Sequence, residues 1–248
     1  MRYIITALSL LFIVSIQAQK PEKLKTKTAK GPNGISEISC QVLKSDRKIK
    51  HGFYKEKKIF STQLIESGFY SYGEKDGFWQ EWYIISSSLK SKGVYSNGKK
   101  VGVWEYMNFR GELLHKYNHD TETVLFNNSC GKNKESQVLI NEVQISKNLD
   151  CLPDALGGIS SLYDATILSS FLEEKSNDTT TTVTINLDIL IKKDGTIGKI
   201  NIDESSFNPE YAATLKEALN NPELIWLPGE LNGEKVDAYA NYNHCFSY

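Results

Sequence analysis

A self-similar period of 25 residues is the feature that most narrows what this chain can fold into. Gly52, Gly77 and Gly102 fall in register, as do Phe53, Phe78 and Val103, then Tyr54, Trp79 and Trp104, and likewise Leu64, Leu89 and Leu114. In the best-preserved stretch, residues 68–79 (GFYSYGEKDGFW) lie over residues 93–104 (GVYSNGKKVGVW), and the third copy has Asn118 where the others have Gly68 and Gly93. Asn97-Gly98 is a two-residue turn signal because both residue types tolerate positive φ, and the flanking Val94, Tyr95, Val103 and Trp104 suit strands. The pattern predicts a series of β-hairpins, with Asn118 meeting the same backbone need as the glycines of its column. One hairpin alone is marginal, so the units must stack into an elongated sheet or meander that buries its aromatic side chains. Tyr54, Trp79 and Trp104 are accordingly expected in the core, not lining a ligand groove.

These columns resemble the MORN-repeat variant found in many bacterial proteins, including the YwqK-like antitoxin group, over residues 49–118. The resemblance implies a β-hairpin scaffold at 49–120 whose attributed roles, binding proteins or membrane lipids, differ among carriers. Whether these repeats contact lipid or protein is left open.

The N-terminus has the order of a secretory signal peptide: basic Met1-Arg2, an apolar run over residues 3–16, then Gln17-Ala18-Gln19, with cleavage expected after Ala18. Thr6, Ser9 and Ser15 interrupt the run, and it is shorter than the roughly 20 residues of a membrane-spanning helix. The mature chain is therefore expected to be periplasmic or secreted. Residues 21–34, rich in Lys, Thr, Gly and Pro, read as a solvated linker within a leading segment at 19–48. Cys40, Cys130, Cys151 and Cys245 make an even number, which permits one or two disulfides in an exported chain. Four cysteines allow three complete pairings, and spacing does not choose among them.

A connecting segment at 121–150 holds one strand, over 137–145, and a loop around 127–136. The character changes after it. Over 159–174, Leu162, Ala165, Leu168, Phe171 and Leu172 recur at helical spacing, whereas Val183, Ile185, Leu187, Ile189 and Ile191 alternate as in a strand with one buried face. Asp194-Gly195 turns the chain into a second strand at 196–202. Asn208 and Pro209 open a helix carrying Tyr211, Leu215, Ala218 and Leu219 on one face, ended by Pro222. A closing strand at 236–246 completes the order αββαβ. The fold class expected is α+β: a sheet of β-hairpin repeats followed by a small αββαβ domain at 151–248.

Pro153 with Gly157-Gly158, Lys193-Asp194-Gly195, and Trp226-x-Pro228-Gly229-x-x-Asn232-Gly233-x-x-Val236 resemble the TonB C-terminal domain in its Bacteroidetes-type form, over nearly all of 151–248. Trp226 itself is expected to pack beneath the two turns. The resemblance implies recognition of a partner protein through an exposed strand edge, as TonB captures an extended segment of an outer-membrane receptor. The binding residues it suggests lie along the last strand: Val236, Asp237, Tyr239, Asn241 and Asn243.

A formal net charge of −1 gives no footprint for nucleic acid. His115 and His119, with Asp120 beside them, could share one strand face and are the one hint of a metal site, and no further ligand clusters with them. No nucleophile motif, phosphate loop or paired-cysteine zinc motif is present. The chain is thus expected to be an interaction module with no catalytic residue, metal or cofactor, and its partner a protein. Runner-up readings are a TonB-type energy transducer, which needs a retained anchor and a Pro-rich span, and a YwqK-like antitoxin or scaffold.

Overall fold

A computed structural model describes residues 22–31, 34–84, 86–132, 134–159, 182–203, 215–222 and 224–247, with backbone only for 182–185 and 244–247. Nine strands run from one end of a long antiparallel sheet to the other in sequence order: β1 (Leu24–Lys30), β2 (Ser36–Leu43), β3 (Lys50–Lys58), β4 (Leu64–Ser71), β5 (Glu74–Trp82), β6 (Leu89–Ser96), β7 (Lys99–Met107), β8 (Leu113–Asn118) and β9 (Thr123–Asn127). Each 25-residue unit supplies two strands. Asn97 and Gly98 both have positive φ, 49° and 77°, which gives the β6–β7 hairpin a turn matching strand twist. Gly102, at φ 61°, stands beside the register shift where β7 bulges against Lys92 and Val94 of β6.

The period of two within each strand sends neighbouring columns to opposite faces. Phe53, Phe78 and Val103 face outward, 41%, 51% and 46% exposed, while Trp79 and Trp104 are fully buried. Each indole lies across the neighbouring strand's glycine, Trp79 on Gly68 and Trp104 on Gly93, where any Cβ would come closer than 3.0 Å to ring carbons. The indole N–H groups donate to Phe69 O at 3.0 Å and Val94 O at 3.1 Å, one unit apart. Tyr70 and Tyr95 meet the indoles edge-on, with centroids 5.2 and 5.1 Å away. The glycine column at 68 and 93 is therefore a steric requirement. Neither Gly68, Gly93 nor Asn118 has a positive φ, so the backbone need expected for that column is not met there; at Gly68 and Gly93 the need is to admit a ring, while Asn118 pairs with Val103 and not with Trp104.

The α+β expectation is overturned: the described chain is almost entirely antiparallel β-sheet. Much of the difference comes from residues 121–150, which form β9, β10 (Lys134–Ile140) and β11 (Val143–Leu149) instead of one strand and a loop. Asn141 and Glu142 both take positive φ, 49° and 65°, and fold what reads as a single strand into a hairpin. The stretch read as a linker supplies β1. After β11 come β12 (Asp154–Ala155), β13 (Thr182–Ile191), β14 (Ile197–Ile202), β15 (Trp226–Leu227), β16 (Gly229–Leu231), β17 (Glu234–Val236) and β18 (Ala238–Ser247). The second large sheet is five-stranded, in the order β11-β10-β18-β13-β14, and not the three strands of an αββαβ domain. The helix expected at 159–174 falls almost wholly on 160–181, outside the described residues. That expected at 208–220 is described only from Leu215, with residues 215–219 helical and Leu215 and Leu219 fully buried.

Three clusters of buried side chains organise the molecule. One joins Leu187, Ile189 and Ile191 of β13 to Leu215, Leu219 and Trp226. A second runs beneath the long sheet through Tyr54, Trp79, Trp104 and Tyr117 and takes in Leu156 and Leu227 from beyond the repeats. A smaller one packs Val138, Leu149 and Ala238 where β10 meets β18. Apolar burial thus ties the end of the repeat sheet to the C-terminal region. Trp226, 6% exposed, packs in the first of these clusters, against β13, Leu215 and Leu219.

Candidate functional site

The last strand was expected to offer a free edge, and the structure divides that edge in two. β13 pairs with β18 along its whole length, Ile191 opposite Ala238 through Thr182 opposite Ser247. On the other side β10 meets β18 only at Val138 opposite Ala238. There Leu139 N–H donates to Asp237 O at 2.8 Å and the Ser136 hydroxyl to Tyr239 O at 2.7 Å. From Asn241 to Ser247 the outer edge of β18 carries no strand among the described residues.

The five suggested binding residues separate accordingly. Val236 ends β17 and pairs with Gly229 in a local hairpin turned by Asn232 and Gly233, both at positive φ. Asp237 accepts from the Lys193 amide through Oδ1 at 2.8 Å, and Tyr239 lies under the cap just described. Asn241 and Asn243 are exposed on the open half, Asn241 Nδ2 donating to Asp188 Oδ1 at 2.6 Å. Among the cysteines, Cys130 and Cys151 form a disulfide spanning 21 residues, Cys40 is buried as a free thiol on β2, and the backbone of Cys245 pairs with Thr184. The disulfide staples the turn after β9 to the residue that bridges to Glu230.

His115, His119 and Asp120 turn to different partners. His115 is fully buried on β8, its Nδ1 accepting the Gly157 N–H at 3.0 Å, which places the proton of the neutral ring on Nε2. That nitrogen lies 3.9 Å from Asp154 Oδ2, while Asp154 Oδ1 accepts from the Tyr242 hydroxyl at 2.7 Å and the Ala155 amide at 2.8 Å. Burial lowers the His115 pKa to about 4, which keeps its ring neutral, and raises that of Asp154 to about 6, which makes its charge costlier in this seam between the two sheets. His119 instead meets the Tyr106 hydroxyl at 2.8 Å and the edge of Tyr117, and burial, helped by Lys100, lowers its pKa to about 4. Asp120 donates its amide to Asn118 Oδ1. No three His, Cys, Asp or Glu side chains group as a metal site among the described residues. The seam holds a proton-bearing His, a carboxyl and a phenol, with Ser129 bonded elsewhere, to Leu152; its chemistry is that of a clamp between layers.

A feature missed in the sequence is a ladder of cations. Lys50, Lys75 and Lys100, themselves 25 residues apart, lie over Tyr70 at 4.6 Å, Trp79 at 4.1 Å and Trp104 at 4.3 Å. Lys75 also pairs with Glu66 at 2.6 Å. Burial opposes ionisation of Glu81, but Lys100, Lys90, Lys75 and the Ser91 hydroxyl outweigh it and hold its pKa below the usual value. The spacing of these lysines was visible in the sequence; their stacking needed the fold. Beside Lys100, Glu81, Tyr106 and His119, a cavity of about 470 Å³ opens between the repeat sheet and Leu156, Leu224 and Ile225.

No known family model matches the chain, and no curated protein or solved structure is significantly similar to it. The MORN and TonB resemblances rest on the residues quoted for them.

Proposed function

We propose that the chain is an exported, non-catalytic protein-interaction module that binds an extended partner segment by strand addition to β18. The observation that carries this reading is the half-open edge: pairing with β10 ends at Ala238 and Tyr239, and among the described residues no strand covers the rest of β18, a run of backbone that a partner strand extends. Main-chain hydrogen bonds supply affinity there for almost any sequence, and the exposed Asn241 and Asn243 supply selectivity. The β10–β11 hairpin fixes where such a strand begins, because Val138 already occupies the place opposite Ala238. A segment of an outer-membrane receptor is the partner class that the TonB resemblance suggests. Export is supported by the N-terminal apolar run and by the Cys130–Cys151 disulfide, since disulfides persist in oxidising compartments. The reading calls for no metal or cofactor.

Titration of the isotopically labelled mature chain with synthetic receptor segments tests it through backbone amide shifts. Shifts should cluster on residues 241–247, and N-methylation of alternate peptide amides, which removes the donors a strand needs, should abolish them. Shifts that spare β18, or survive N-methylation unchanged, end the strand-addition reading.

A further inference from the structure

The nine-stranded sheet has two edges of opposite character. At one end β1, Leu-Lys-Thr-Lys-Thr-Ala-Lys, carries three lysines in seven residues, the usual device by which an edge repels further strands. At the other end β9, Thr-Val-Leu-Phe-Asn, carries no charge, and Val124, Leu125 and Phe126 are 43%, 56% and 41% exposed. No strand pairs with its outer side among the described residues. Among the described residues one edge is protected by charge, and the other, bulged at Leu125, has no covering strand.

A cleft of about 860 Å³ lies against β9. Four consecutive residues, Val124 through Asn127, line it. β9 bulges at Leu125, since Val124 pairs with Tyr117 and Phe126 with the adjacent Lys116 of β8, and the cleft follows the strand across that bulge to Asn127. Its far wall is the Asp194-Gly195 turn and the segment from Trp226 to Pro228. Glu122, Asp194 and Glu230 line it against a single ammonium, Lys235. The sequence from residue 119 onward has the same sign, with twenty Asp and Glu against nine Lys.

We propose that this cleft is a second strand-addition site, on the other sheet from the β18 edge, that takes an extended partner peptide alternating apolar and basic residues. The edge of β9, five residues at about 3.4 Å each, accepts a segment of about 17 Å. An extended peptide of this pattern presents its apolar side chains on one face, toward the exposed Val124–Phe126 run, and its Lys or Arg side chains on the other, toward the carboxylates across the cleft. An acidic strand meets repulsion from the same three groups, so charge decides which extended segments enter.

The test uses the mature chain and three nine-residue peptides: alternating Val and Lys, alternating Val and Glu, and the Val–Lys peptide with a central Pro. The Val–Lys peptide should shift the amides of residues 123–127 and 194–195 and bind at least tenfold more tightly than either other peptide. Leu125→Lys, at an exposed position, should weaken it at least tenfold while leaving the amide spectrum of β13 and β14 unchanged. Equal binding of the basic and acidic peptides overturns the proposal, as does an absence of shifts at 123–127. Shifts confined to β18 overturn it too, while leaving the β18 reading intact. Concentration-dependent shifts at 123–127 without peptide would assign the edge to a second copy of the chain. Nuclear Overhauser contacts from residues 160–181 to β9 in the free chain would assign it to the chain's own segment. Either result replaces the proposed partner.

Discussion

Replacing Gly93 by Ala probes the reason the repeats stack. The added methyl would fall inside the contact distance of Trp104 ring carbons, and the ring has little room to yield: it is fully buried, its N–H is bonded to Val94 O, and Lys100 lies over it at 4.3 Å. Overpacking of this kind costs roughly 1–3 kcal/mol, and expelling the indole would forfeit much of the roughly 3–5 kcal/mol that a buried Trp is worth against Ala. A loss of about 3 kcal/mol is expected. Gly102→Ala is the control, because its Cβ meets nothing within 4 Å and only the positive φ of 61° is strained, which costs roughly 1–2 kcal/mol. Urea unfolding followed by Trp fluorescence separates them. With a slope of about 2 kcal/mol/M, the Gly93 variant should lose about 1.5 M in midpoint and the Gly102 variant about half that. A Gly93 variant as stable as wild type, or more stable than the Gly102 variant, would refute the ring-on-glycine account.

Reducing the Cys130–Cys151 bridge, or replacing both cysteines by Ser, should cost about 3 kcal/mol for a loop of this length; urea midpoints with and without reductant measure it. His115 is neutral in the fold with a pKa of about 4 against 6.5 in the unfolded chain, so the unfolded state takes up the proton first and stability falls as pH drops from 6.5 toward 4, by up to about 3 kcal/mol. Asp154, raised to about 6, works in the opposite sense, stabilising the fold at acid pH and losing that contribution as pH rises from 3.8 through 6. His119 shares the sign of His115, so the two histidines should outweigh the carboxyl, and His115→Gln should flatten the acid limb of a plot of urea midpoint against pH.

The repeat sheet was legible because its information is local: a turn pair at Asn97-Gly98 and aromatic columns at one spacing say where hairpins fold and which face is buried. What stayed hidden lacked either a face or a turn signal. Lys25, Thr26, Lys27 and Thr28 alternate two polar residue types, so β1 shows no buried side and reads as a linker. Asn141-Glu142 has no Gly, and the hairpin it turns passes for a single strand. Glycine columns look alike in sequence whether they answer a positive φ, as at Gly102, or a ring overhead, as at Gly93. At the candidate site, Asn241 and Asn243 lie exposed on β18, whereas the capping of Asp237 and Tyr239 joins residues about 100 positions apart and leaves no mark on either segment alone. The apolar edge of β9 could have been found from Val124-Leu125-Phe126 had the strand been recognised.

Amide hydrogen exchange along β18 in the free chain is the most direct test of the central claim. Amides bonded to β13 should be protected throughout the strand, while the alternate, outward-facing amides from 241 to 247 should exchange as fast as those of exposed loops and become protected when a partner segment is added. Uniform protection of residues 241–247 in the free chain would mean that the edge is already covered, and would contradict strand addition at β18.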